Sequence, residues 1–459
     1  MAVQTTNPYL EGPFAPVEQE VTATDLAVVG TLPADLDGRY LRIGPNPMRQ
    51  NVPDPATHHW FVGDGMVHGL RLRDGRAEWY RNRWVRSTRV SEALGEPPAP
   101  GERHAGMDTV NTHVIGHAGR TLALVEAGAR PVELTHELET VCHTDLDGTL
   151  PNGFTAHPKR DPQTGELHAM AYFWGLDHVQ YLVVGVDGRV RKVEAIDVSD
   201  GPMIHDMSLS ERFAVVYDMP VTFDMEMAAS GRGLPYSWKD DRAARLGVLP
   251  REGTGADVRW FDVDPCYVFH PLNAYDVPGA DGGEGTLVLD VVRHERTFAV
   301  DRNGPADAPP TLWRWTLDLD RGTVAAEQRD DRGQEFPRVA ESHVGRRARY
   351  GWTSTFDVST PGALGAGSVI IRHDLETGTS AVHDAGASRQ VGEAVAAPRD
   401  GATAEDDAWL IALAHDRDTD RGELVVWAAD APGEEPVARV PLPVRVPFGF
   451  HGSWVPTAG

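Results

Sequence analysis

The chain consists largely of short hydrophobic or alternating segments separated by turn residues, and this pattern constrains its fold more than any other feature. The segment GLRLRDGRAEWYR, which begins at Gly69, is typical of a β-hairpin that turns at Asp74 and Gly75. Alternating residues suit a half-buried strand, and Asp-Gly is a favoured two-residue hairpin turn. Further hairpin turns are predicted along the chain at Ala118-Gly119, Asp187-Gly188, Gly322, Gly378 and Gly422.

Hairpins that span the whole chain, with no helical block between them, favour an all-β fold of the β-propeller type. In that architecture small antiparallel sheets repeat around a central axis. The spacing between hairpins is irregular, so the pattern does not match a WD40 or kelch array. Because large all-β folds can reach this length as one unit, we expect a single domain over residues 1–459. One helix is predicted, in the segment FDMEMAASGRG from Phe223.

Composition excludes several classes of partner and compartment. The formal net charge of −25 argues against a nucleic-acid partner and against electrostatic attachment to anionic lipid, though not against hydrophobic contact with a membrane. Cys142 and Cys266 are far apart and form no CxxC pair, which favours a reducing cytoplasm. No leader pattern and no apolar run near ~20 residues is visible, so we expect a cytoplasmic protein without a membrane-spanning helix.

The chain has 19 histidines, and four of them differ from the others in their neighbours. These four each follow a small or apolar residue and precede a turn or capping residue: His157, His205, His270 and His451. Nine others lie beside charged or turn residues, and we expect them to be solvated: His58, His104, His117, His136, His143, His294, His373, His383 and His415.

A propeller could bring the four distinct histidines together, since residues on the inner strands of different blades converge on the axis. Four imidazoles would bind zinc, copper, iron or nickel, so the ligand type alone does not select the metal. No spacing of the HExxH kind supports this interpretation. The residues by themselves leave two alternatives open, a metal site in a propeller or ordinary buried histidines.

Several motifs, taken in order, give the chain its resemblance to the carotenoid cleavage oxygenase family. VVGTLPADLDGRYLRIGPNP extends from Val28 to Pro47, and HHWFVGDGMVHGLRL extends from His58 to Leu72. LALVEAG, FTAHPK, MIHDMSLSERFAVVYDMP, FHPLNAYD, EFPRV and FGFHGSWVP follow in that family's order. Each motif alone is weak, whereas all of them in order along one chain are specific.

The resemblance implies a seven-bladed β-propeller in which loops and short helices cap an axial metal site. It implies one Fe²⁺ per chain, with four ligands: His157, His205, His270 and His451. It further implies three glutamates behind the ligands: Glu126, Glu335 and Glu393. A carboxylate on the far ring nitrogen orients an imidazole and raises its basicity. The sequence does not indicate which glutamate pairs with which histidine.

The reaction implied by the resemblance is cleavage of a carbon–carbon double bond by O₂ to give two carbonyl products. Members of the family divide between those that cleave carotenoids or apocarotenoids and those that cleave stilbenes or phenylpropanoids. The second group typically carries a lysine just before the first glutamate, where this chain has Val125. A valine cannot bind a phenolate, so the departure favours an apolar polyene. No nicotinamide or flavin is implied, and no Gly-rich dinucleotide motif is visible.

A dry tunnel near the ligands is expected to hold the lipophilic alkene. Its candidate lining residues are Phe61, Val125, Phe154, Phe173, Tyr217, Phe269, Phe448, Phe450 and Trp454. For each aromatic residue the alternative is ordinary core packing. The segment from Met219 to Trp238 falls where the family often has an apolar helix near the tunnel mouth. This suggests peripheral membrane contact, and the alternative is that the helix packs on the propeller.

A propeller that binds a partner without catalysis is the alternative from another functional class. All four histidines and all three glutamates are present, which argues against lost catalysis. No obligate protein partner is expected. The apolar C-terminal segment PFGFHGSWVP is interpreted as the last inner strand, which supplies His451 as the fourth ligand.

Overall fold

Antiparallel strands make up nearly all the regular structure of the chain. The structure is a computed structural model that describes residues 7–231, 233–305, 307–356 and 367–457. The first five strands are β1 (Thr22–Leu26), β2 (Val29–Gly30), β3 (Gly38–Pro45), β4 (Gly65–Arg73) and β5 (Arg76–Trp84). The next eight are β6 (His113–His117), β7 (Arg120–Leu124), β8 (Val132–Leu134), β9 (Thr140–His143), β10 (Lys159–Arg160), β11 (Leu167–Ala171), β12 (His178–Val184) and β13 (Val190–Asp197).

The middle and last parts of the chain continue in the same way. The middle strands are β14 (Met207–Leu209), β15 (Phe213–Asp218), β16 (Val221–Phe223), β17 (Tyr236–Trp238), β18 (Ala244–Pro250), β19 (Arg259–Val263), β20 (Pro271–Val277), β21 (Thr286–Arg293), β22 (Thr311–Asp318) and β23 (Thr323–Asp330). The last strands are β24 (Gln334–Arg338), β25 (Tyr350–Thr355), β26 (Val369–Asp374), β27 (Thr379–Asp384), β28 (Arg389–Pro398), β29 (Ala408–Asp416), β30 (Arg421–Ala428), β31 (Ala438–Pro441) and β32 (Gly452–Pro456).

These strands form seven sheets of four or five strands, which are the blades of a β-propeller, and one separate hairpin. In chain order the blades are β1-β5-β4-β3-β32, β6-β7-β8-β9, β10-β11-β12-β13, β14-β15-β18-β19, β20-β21-β22-β23, β24-β25-β26-β27 and β2-β31-β30-β29-β28. We number them blades 1 to 7 in that order. The separate hairpin pairs β16 with β17. The prediction of a seven-bladed all-β propeller is confirmed.

Both ends of the chain take part in closing the ring. β32 pairs with β3 in blade 1, from Gly38 opposite Pro456 to Arg42 opposite Gly452. β2 adds an outer strand to blade 7 by pairing with β31. Blades 1 and 7 therefore each combine strands from the beginning and the end of the sequence.

Five of the six predicted hairpin turns lie where the sequence places them, and the sixth is displaced. Asp74 and Gly75 both have positive φ angles, of 50° and 71°, as a two-residue hairpin turn requires. The turn predicted at Gly422 instead spans residues 417–420, and Gly422 lies within β30. Gly422 packs closely against the segment that follows β31, because an added Cβ would lie 2.7 Å from a methyl carbon of Val446. This glycine therefore serves close packing and not the turn.

Two α-helices occur in the described part of the chain. The predicted one is α2 (Met225–Ser230), which is capped by the Asp224 carboxylate and ends at Gly231 in the left-handed conformation. The other is α1 (Thr88–Leu94), where the Ser87 hydroxyl accepts a hydrogen bond from the Val90 N–H. The 3₁₀ turns are Pro8–Leu10, Gly12–Phe14, Arg49–Asn51, Pro55–Thr57, His104–Gly106, Gly255–Asp257, Ala280–Gly282 and Glu341–His343. None of the described helices has both the length and the apolar character needed to cross a bilayer.

The expectation that nine histidines are solvated is wrong for seven of them. The buried ones are His58, His117, His143, His294, His373, His383 and His415. Propeller blades pack face to face, so strand residues on both faces lie in the interior. His373, for example, lies on β26 and contacts the Gln334 side-chain oxygen at 2.8 Å through its Nε2 atom. Charged sequence neighbours therefore do not indicate exposure in this fold.

Candidate metal centre

The four distinct histidines occupy equivalent positions in four different blades. His157 and His205 lie two residues before β10 and β14, and His270 and His451 lie directly before β20 and β32. Each of these strands is the innermost strand of its blade or pairs with the inner strand β3. The backbone at the start of each inner strand thus directs an imidazole at the axis, and the four rings meet there.

The ring nitrogens of these histidines have the separations expected of ligands to one ion. The Nε2 atom of His205 lies 3.0 Å from that of His157 and 3.3 Å from that of His270. The four ligand atoms all lie within 4.8 Å of one another, and all four residues are buried. Two nitrogens that bind one divalent ion at about 2.1 Å and at a right angle are about 3.0 Å apart. The cluster therefore fits a metal ion bound by four imidazoles.

Three glutamates fix the orientation of three of these rings through the other nitrogen. The Nδ1 atoms of His205, His270 and His451 lie 2.8, 2.6 and 2.9 Å from carboxylate oxygens of Glu126, Glu335 and Glu393, respectively. Because each carboxylate accepts from Nδ1, the Nε2 atom is left without a proton and is free to bind a metal. This pairing resolves what the sequence left open.

The seven residues come one from each blade. In ring order, blades 1 to 7 carry His451, Glu126, His157, His205, His270, Glu335 and Glu393. Glu335 lies on β24 and Glu393 on β28, and both are innermost strands, whereas Glu126 follows the end of β7. The site is thus assembled by the ring as a whole, and no local sequence motif could encode it.

Further contacts hold two of the glutamates in place. The second oxygen of Glu335 lies 3.0 Å from Nε2 of His294, and the second oxygen of Glu393 accepts from the Gly452 N–H at 2.8 Å. The Arg338 guanidinium approaches Glu393 at 3.5 Å. His294 and Arg338 were not identified from the sequence. The charged neighbours Arg293 and Glu295 predict a surface position for His294, but its side chain is buried.

Burial and charge set the protonation of the cluster. Burial, followed by the neighbouring imidazoles, holds the pKa of His157 and of His451 well below the ordinary value, so both rings are neutral. For His270, burial acts in the same direction, but the charge and hydrogen bond of Glu335 outweigh it and raise the pKa. Burial opposes ionisation of Glu335 and Glu126, yet their histidine partners lower the pKa of each carboxyl below its ordinary value. Neutral imidazoles backed by carboxylates are suited to a divalent cation.

His157 differs from the other three ligands. Its Nδ1 atom has no carboxylate partner at hydrogen-bonding distance among the described residues, and the nearest, Asp206 Oδ2, is 3.8 Å away. Asp206 is itself buried and lies 2.9 Å from the Lys159 ammonium. Asp206 was not identified from the sequence, although it directly follows His205.

An apolar cavity of about 590 Å³ adjoins the cluster on one face of the propeller. Its wall includes His205, His270 and His451 together with four of the predicted tunnel residues, Phe61, Val125, Phe269 and Phe450. The Phe61 ring contacts those of Phe269 and Phe450, with centroids 5.7 and 5.5 Å apart. The Phe269 ring in turn packs on His205, at 5.3 Å between centroids. An aromatic wall therefore leads directly to the ligands.

The other five predicted tunnel residues do not line this cavity. Phe154 packs in the core between blades 2 and 3, and Tyr217 is buried on β15 with its hydroxyl 2.6 Å from that of Ser208. Phe173 packs on the His104 ring, and Phe448 packs on Phe14 and Trp60. Trp454 lies on β32 and faces the opposite side of the propeller. Tyr217 and Trp454 lie on strands, where successive residues point to opposite faces, whereas Phe154, Phe173 and Phe448 lie in loops. Proximity in sequence to one of the four histidines therefore does not place a side chain in the cavity wall.

A second cavity reaches the cluster from that opposite side. It has a volume of about 1000 Å³, and its wall includes His157, His270 and His451. Charged side chains are frequent in this wall, among them Arg39, Lys159, Arg160, Asp206, Arg338, Glu341 and Glu393. We refer to the two spaces as the apolar cavity and the polar cavity. The histidine cluster therefore separates two chemically different environments.

The segment that carries His451 is held by very close backbone contacts. A Cβ atom added to Gly44 would lie 2.5 Å from the Cα atom of Gly449, and one added to Gly449 would lie 2.9 Å from the Cα atom of Gly44. The two backbone segments can therefore cross this closely only because both residues are glycine. The Phe448 N–H donates to the carbonyl oxygen of Pro13 at 2.7 Å, and the Phe448 ring contacts Phe14. The N-terminal segment thus covers the C-terminal one and fixes the approach to His451.

Comparison with known proteins identifies relatives over the whole chain. Residues 14–456 match the family model described as retinal pigment epithelial membrane protein. A carotenoid cleavage oxygenase of Mycobacterium tuberculosis is 48% identical over 99% of both chains. A carotenoid 9,10(9',10')-cleavage dioxygenase of Crocus sativus is 33% identical over 97% of this chain and 89% of its own length. The crystal structure of Pseudomonas brassicacearum lignostilbene dioxygenase superposes with a TM-score of 0.87 at 28% identity, and covers 99% of this chain and 100% of that one.

Proposed function

Because the chain belongs to the carotenoid cleavage oxygenase family, we propose that it cleaves a carbon–carbon double bond of a carotenoid or apocarotenoid with O₂. It is an oxygenase that depends on Fe²⁺. In the overall reaction one C=C bond and one O₂ molecule become two carbonyl groups, so the atoms balance without an external electron donor. The observation that carries the proposal is the cluster of four buried imidazoles at the end of an aromatic-walled cavity.

His157, His205, His270 and His451 are the residues we propose to hold the iron. Four protein ligands leave open positions on a metal that prefers six, and bound Fe²⁺ supplies the activation of dioxygen. Glu126, Glu335 and Glu393 orient three of the ligands and provide three negative charges against the two positive charges of the ion. This set suits a divalent ion, since imidazole ligands add no charge of their own when they bind a metal.

The chain's own contribution to the reaction is to position the alkene and to exclude water. Phe61, Phe269 and Phe450 form a wall beside the ligands, against which one double bond of a polyene can lie flat. Holding a reactant in the correct geometry is a large part of catalysis in such a site. An apolar enclosure also protects the reacting centre from hydrolysis and side reactions.

Val125 supports a polyene over a phenolic stilbene as the substrate. It lines the apolar cavity directly before Glu126, at the position where stilbene-cleaving relatives carry a lysine. An aliphatic side chain offers no partner for a phenolic hydroxyl, and burying that hydroxyl without a hydrogen bond is unfavourable. The cavity therefore favours an apolar substrate at this wall.

A substrate panel with iron-loaded protein tests the proposal. Iron per chain is measured first, and the ferrous protein is then incubated under O₂ with β-apocarotenals, full-length carotenoids, resveratrol and isoeugenol. We expect about one iron per chain and aldehydes from a polyene, identified by mass. Absence of iron, or iron without aldehyde from any polyene, would overturn the proposal. Formation of vanillin or 4-hydroxybenzaldehyde as the main product would assign the protein to phenylpropanoid or stilbene cleavage instead.

Substrate loading from a lipid phase is a further part of the proposal. The end of α2 and the residues after it, including Gly231, Gly233 and Leu234, line the apolar cavity. Met225 at the start of α2 is 61% exposed, and Trp174, which is 43% exposed, stacks on Phe223 nearby at 4.8 Å. Exposed apolar side chains beside a cavity mouth suit insertion into the membrane interface.

Flotation with zwitterionic liposomes tests this contact, because the acidic chain should not be drawn to anionic lipid. We expect the wild type to float and the double variant Met225→Ser, Trp174→Ser to remain largely in the soluble fraction. Val186→Ser is a matched control, since Val186 is 63% exposed on a hairpin of blade 3. Equal flotation of all three proteins would overturn the assignment of this surface.

A further inference from the structure

We propose that Lys159 holds Asp206 away from His157 and thereby leaves this one metal ligand without a carboxylate anchor. The inference rests on the proposed four-histidine metal site and concerns the strength with which that site retains its ion. Lys159 and Asp206 act on the metal only through His157, so both are positioning residues.

The geometry around Asp206 is that of a carboxylate shared between two competing donors. Its Oδ1 atom accepts from the Met207 N–H at 2.6 Å, which fixes the side chain. Its Oδ2 atom accepts from the Lys159 ammonium at 2.9 Å and lies 3.8 Å from His157 Nδ1. A hydrogen bond to the imidazole would require about 2.9 Å, so the gap is about 1 Å too long. The ammonium occupies the oxygen that would otherwise face the ring.

The other three ligands provide an internal comparison. His205, His270 and His451 each have their Nδ1 atom 2.6 to 2.9 Å from a glutamate oxygen. Among the described residues no lysine pairs with Glu126, Glu335 or Glu393, and the cation that approaches one of them is Arg338, 3.5 Å from Glu393. Only at His157 is the adjacent carboxylate neutralised by a lysine, with the Asp206 side chain 1% and the Lys159 side chain 22% exposed.

The position of this weaker ligand coincides with the polar cavity. His157, Lys159 and Asp206 all line that cavity, whereas the apolar cavity is lined by the three anchored ligands and not by His157. An unanchored imidazole can rotate more freely than an anchored one, since a partner on the far nitrogen fixes the ring. The metal centre therefore opens most readily toward the polar cavity, and iron can exchange there while the apolar cavity holds a polyene.

Removing the lysine charge should let Asp206 move to His157. A buried carboxylate without its cation is strongly unfavourable, and His157 Nδ1 is the donor next to it. In Lys159→Met, which preserves side-chain length, we therefore expect a new His157–Asp206 hydrogen bond and slower loss of metal. Changes in the partners of metal-ligating histidines alter metal affinity about 10- to 100-fold, and we expect at least the lower value.

Metal release gives the first readout. Protein loaded with Fe²⁺ or Co²⁺ is mixed with an excess of a hydrophilic chelator, and the release rate is followed in wild type, Lys159→Met, Lys159→Arg and the double variant Lys159→Met, Asp206→Asn. We expect release about tenfold slower in Lys159→Met, the wild-type rate in Lys159→Arg, and loss of the slowing in the double variant. Release from Lys159→Met at the wild-type rate or faster would overturn the proposal, and so would slowing that survives in the double variant.

Nuclear magnetic resonance of the Co²⁺-loaded protein gives a second readout that does not depend on rates of release or on activity. The ring N–H protons of histidine ligands are shifted by the paramagnetic ion and disappear when they exchange with D₂O. In the wild type we expect three slowly exchanging signals, assigned by Glu126→Gln, Glu335→Gln and Glu393→Gln, and one rapidly exchanging signal from His157. Lys159→Met should protect the fourth signal. Four protected signals in the wild type would overturn the proposal.

Failure of the proposed metal site and failure of the proposed role of Lys159 give different results. A wild-type protein that binds neither Fe²⁺ nor Co²⁺ would overturn the proposed metal site and, with it, this inference. Metal binding with four equivalent N–H signals would overturn the role of Lys159 and leave the metal site intact. Thermal unfolding of each variant, compared with wild type, identifies any variant that fails to fold, and the D₂O experiment on wild type needs no variant at all.

Discussion

Glu126 hydrogen bonds to His205, which lies two blades away, and not to His157 in the adjacent blade. The Glu126–His205 contact is 2.8 Å, although the blade that carries His157 comes between their two blades in the ring order. Glu335 and Glu393, by contrast, each pair with the histidine of a directly adjacent blade. The ring therefore has seven positions, four ligands and three carboxylates, and its pairing leaves His157 as the odd member.

His270→Ala should abolish stable iron binding. The variant removes one of four proposed ligands and leaves Glu335 without the imidazole that lies 2.6 Å from its Oε2 atom. Iron content after desalting is the direct measurement. A metal present at 100 times its Kd stabilises the folded state by about 2.7 kcal/mol, so added Fe²⁺ should raise the unfolding temperature of the wild type and not of the variant. Full iron content and activity in His270→Ala would show that the ligand set is misassigned.

Glu335→Gln should weaken iron retention or turnover about 10- to 100-fold. The amide keeps the size of the side chain and loses the charge that faces both His270 and His294. Glu376→Gln serves as the control, because Glu376 is exposed and contacts only surface arginines. Chelator-induced iron loss and kcat/KM are compared in both variants, and wild-type values for Glu335→Gln would remove this residue from the site.

Gly44→Ala should lower metal content without unfolding the propeller. The added methyl group would lie 2.5 Å from the Gly449 Cα atom and would push the C-terminal segment away from the axis, two residues before His451. Gly119→Ala is the control for backbone strain without a clash, since φ is +74° at this hairpin turn and the added methyl group lies in open space. Circular dichroism should show intact β-structure in both proteins, with reduced iron in Gly44→Ala alone. Equal iron content in the two variants would show that the C-terminal segment can shift without displacing His451.

Removal of residues 445–459 should eliminate iron binding. This truncation removes β32 and His451, and it exposes the edge of β3 that β32 covers. A shorter truncation that ends at residue 457 keeps β32 entire and should bind iron as the full chain does. If the longer truncation retained a full complement of iron, His451 could not be a ligand.

The architecture was predictable because local turn chemistry marks most hairpins. Asp74-Gly75 forms a tight turn with positive φ at both residues, a conformation that the Asp-Gly pair favours. Ring closure was not predictable from local pattern, because β3 and β32 are at opposite ends of the sequence. Helix α1 was not predicted although Ser87 and Gly95 are good capping residues, because a helix of about two turns carries little periodic signal. The extent of one domain over residues 1–459 stays a prediction.

The ligand histidines were recognised through family motifs, and their geometry came only from the fold. His157 and His205 have no sequence feature that distinguishes a ligand from the buried His373 or His383. Phe61, Val125, Phe269 and Phe450 line the cavity as predicted, and the other five candidates lie elsewhere because proximity in sequence fixes neither the face of a strand nor the path of a loop. The assignment of iron ligands and glutamates stays a prediction that the variants above can test.

The pairing of β32 with β3 has a consequence for biosynthesis. During translation β3 emerges long before β32, so the inner edge of blade 1 stays uncovered until His451 and the strand that follows it have been synthesised. Until then the nascent chain can offer at most three imidazoles, and the crossing of Gly44 with Gly449 is not yet made. The four-histidine cluster can therefore form only after synthesis has passed β32, and a chain terminated before His451 would lack one of its four imidazoles.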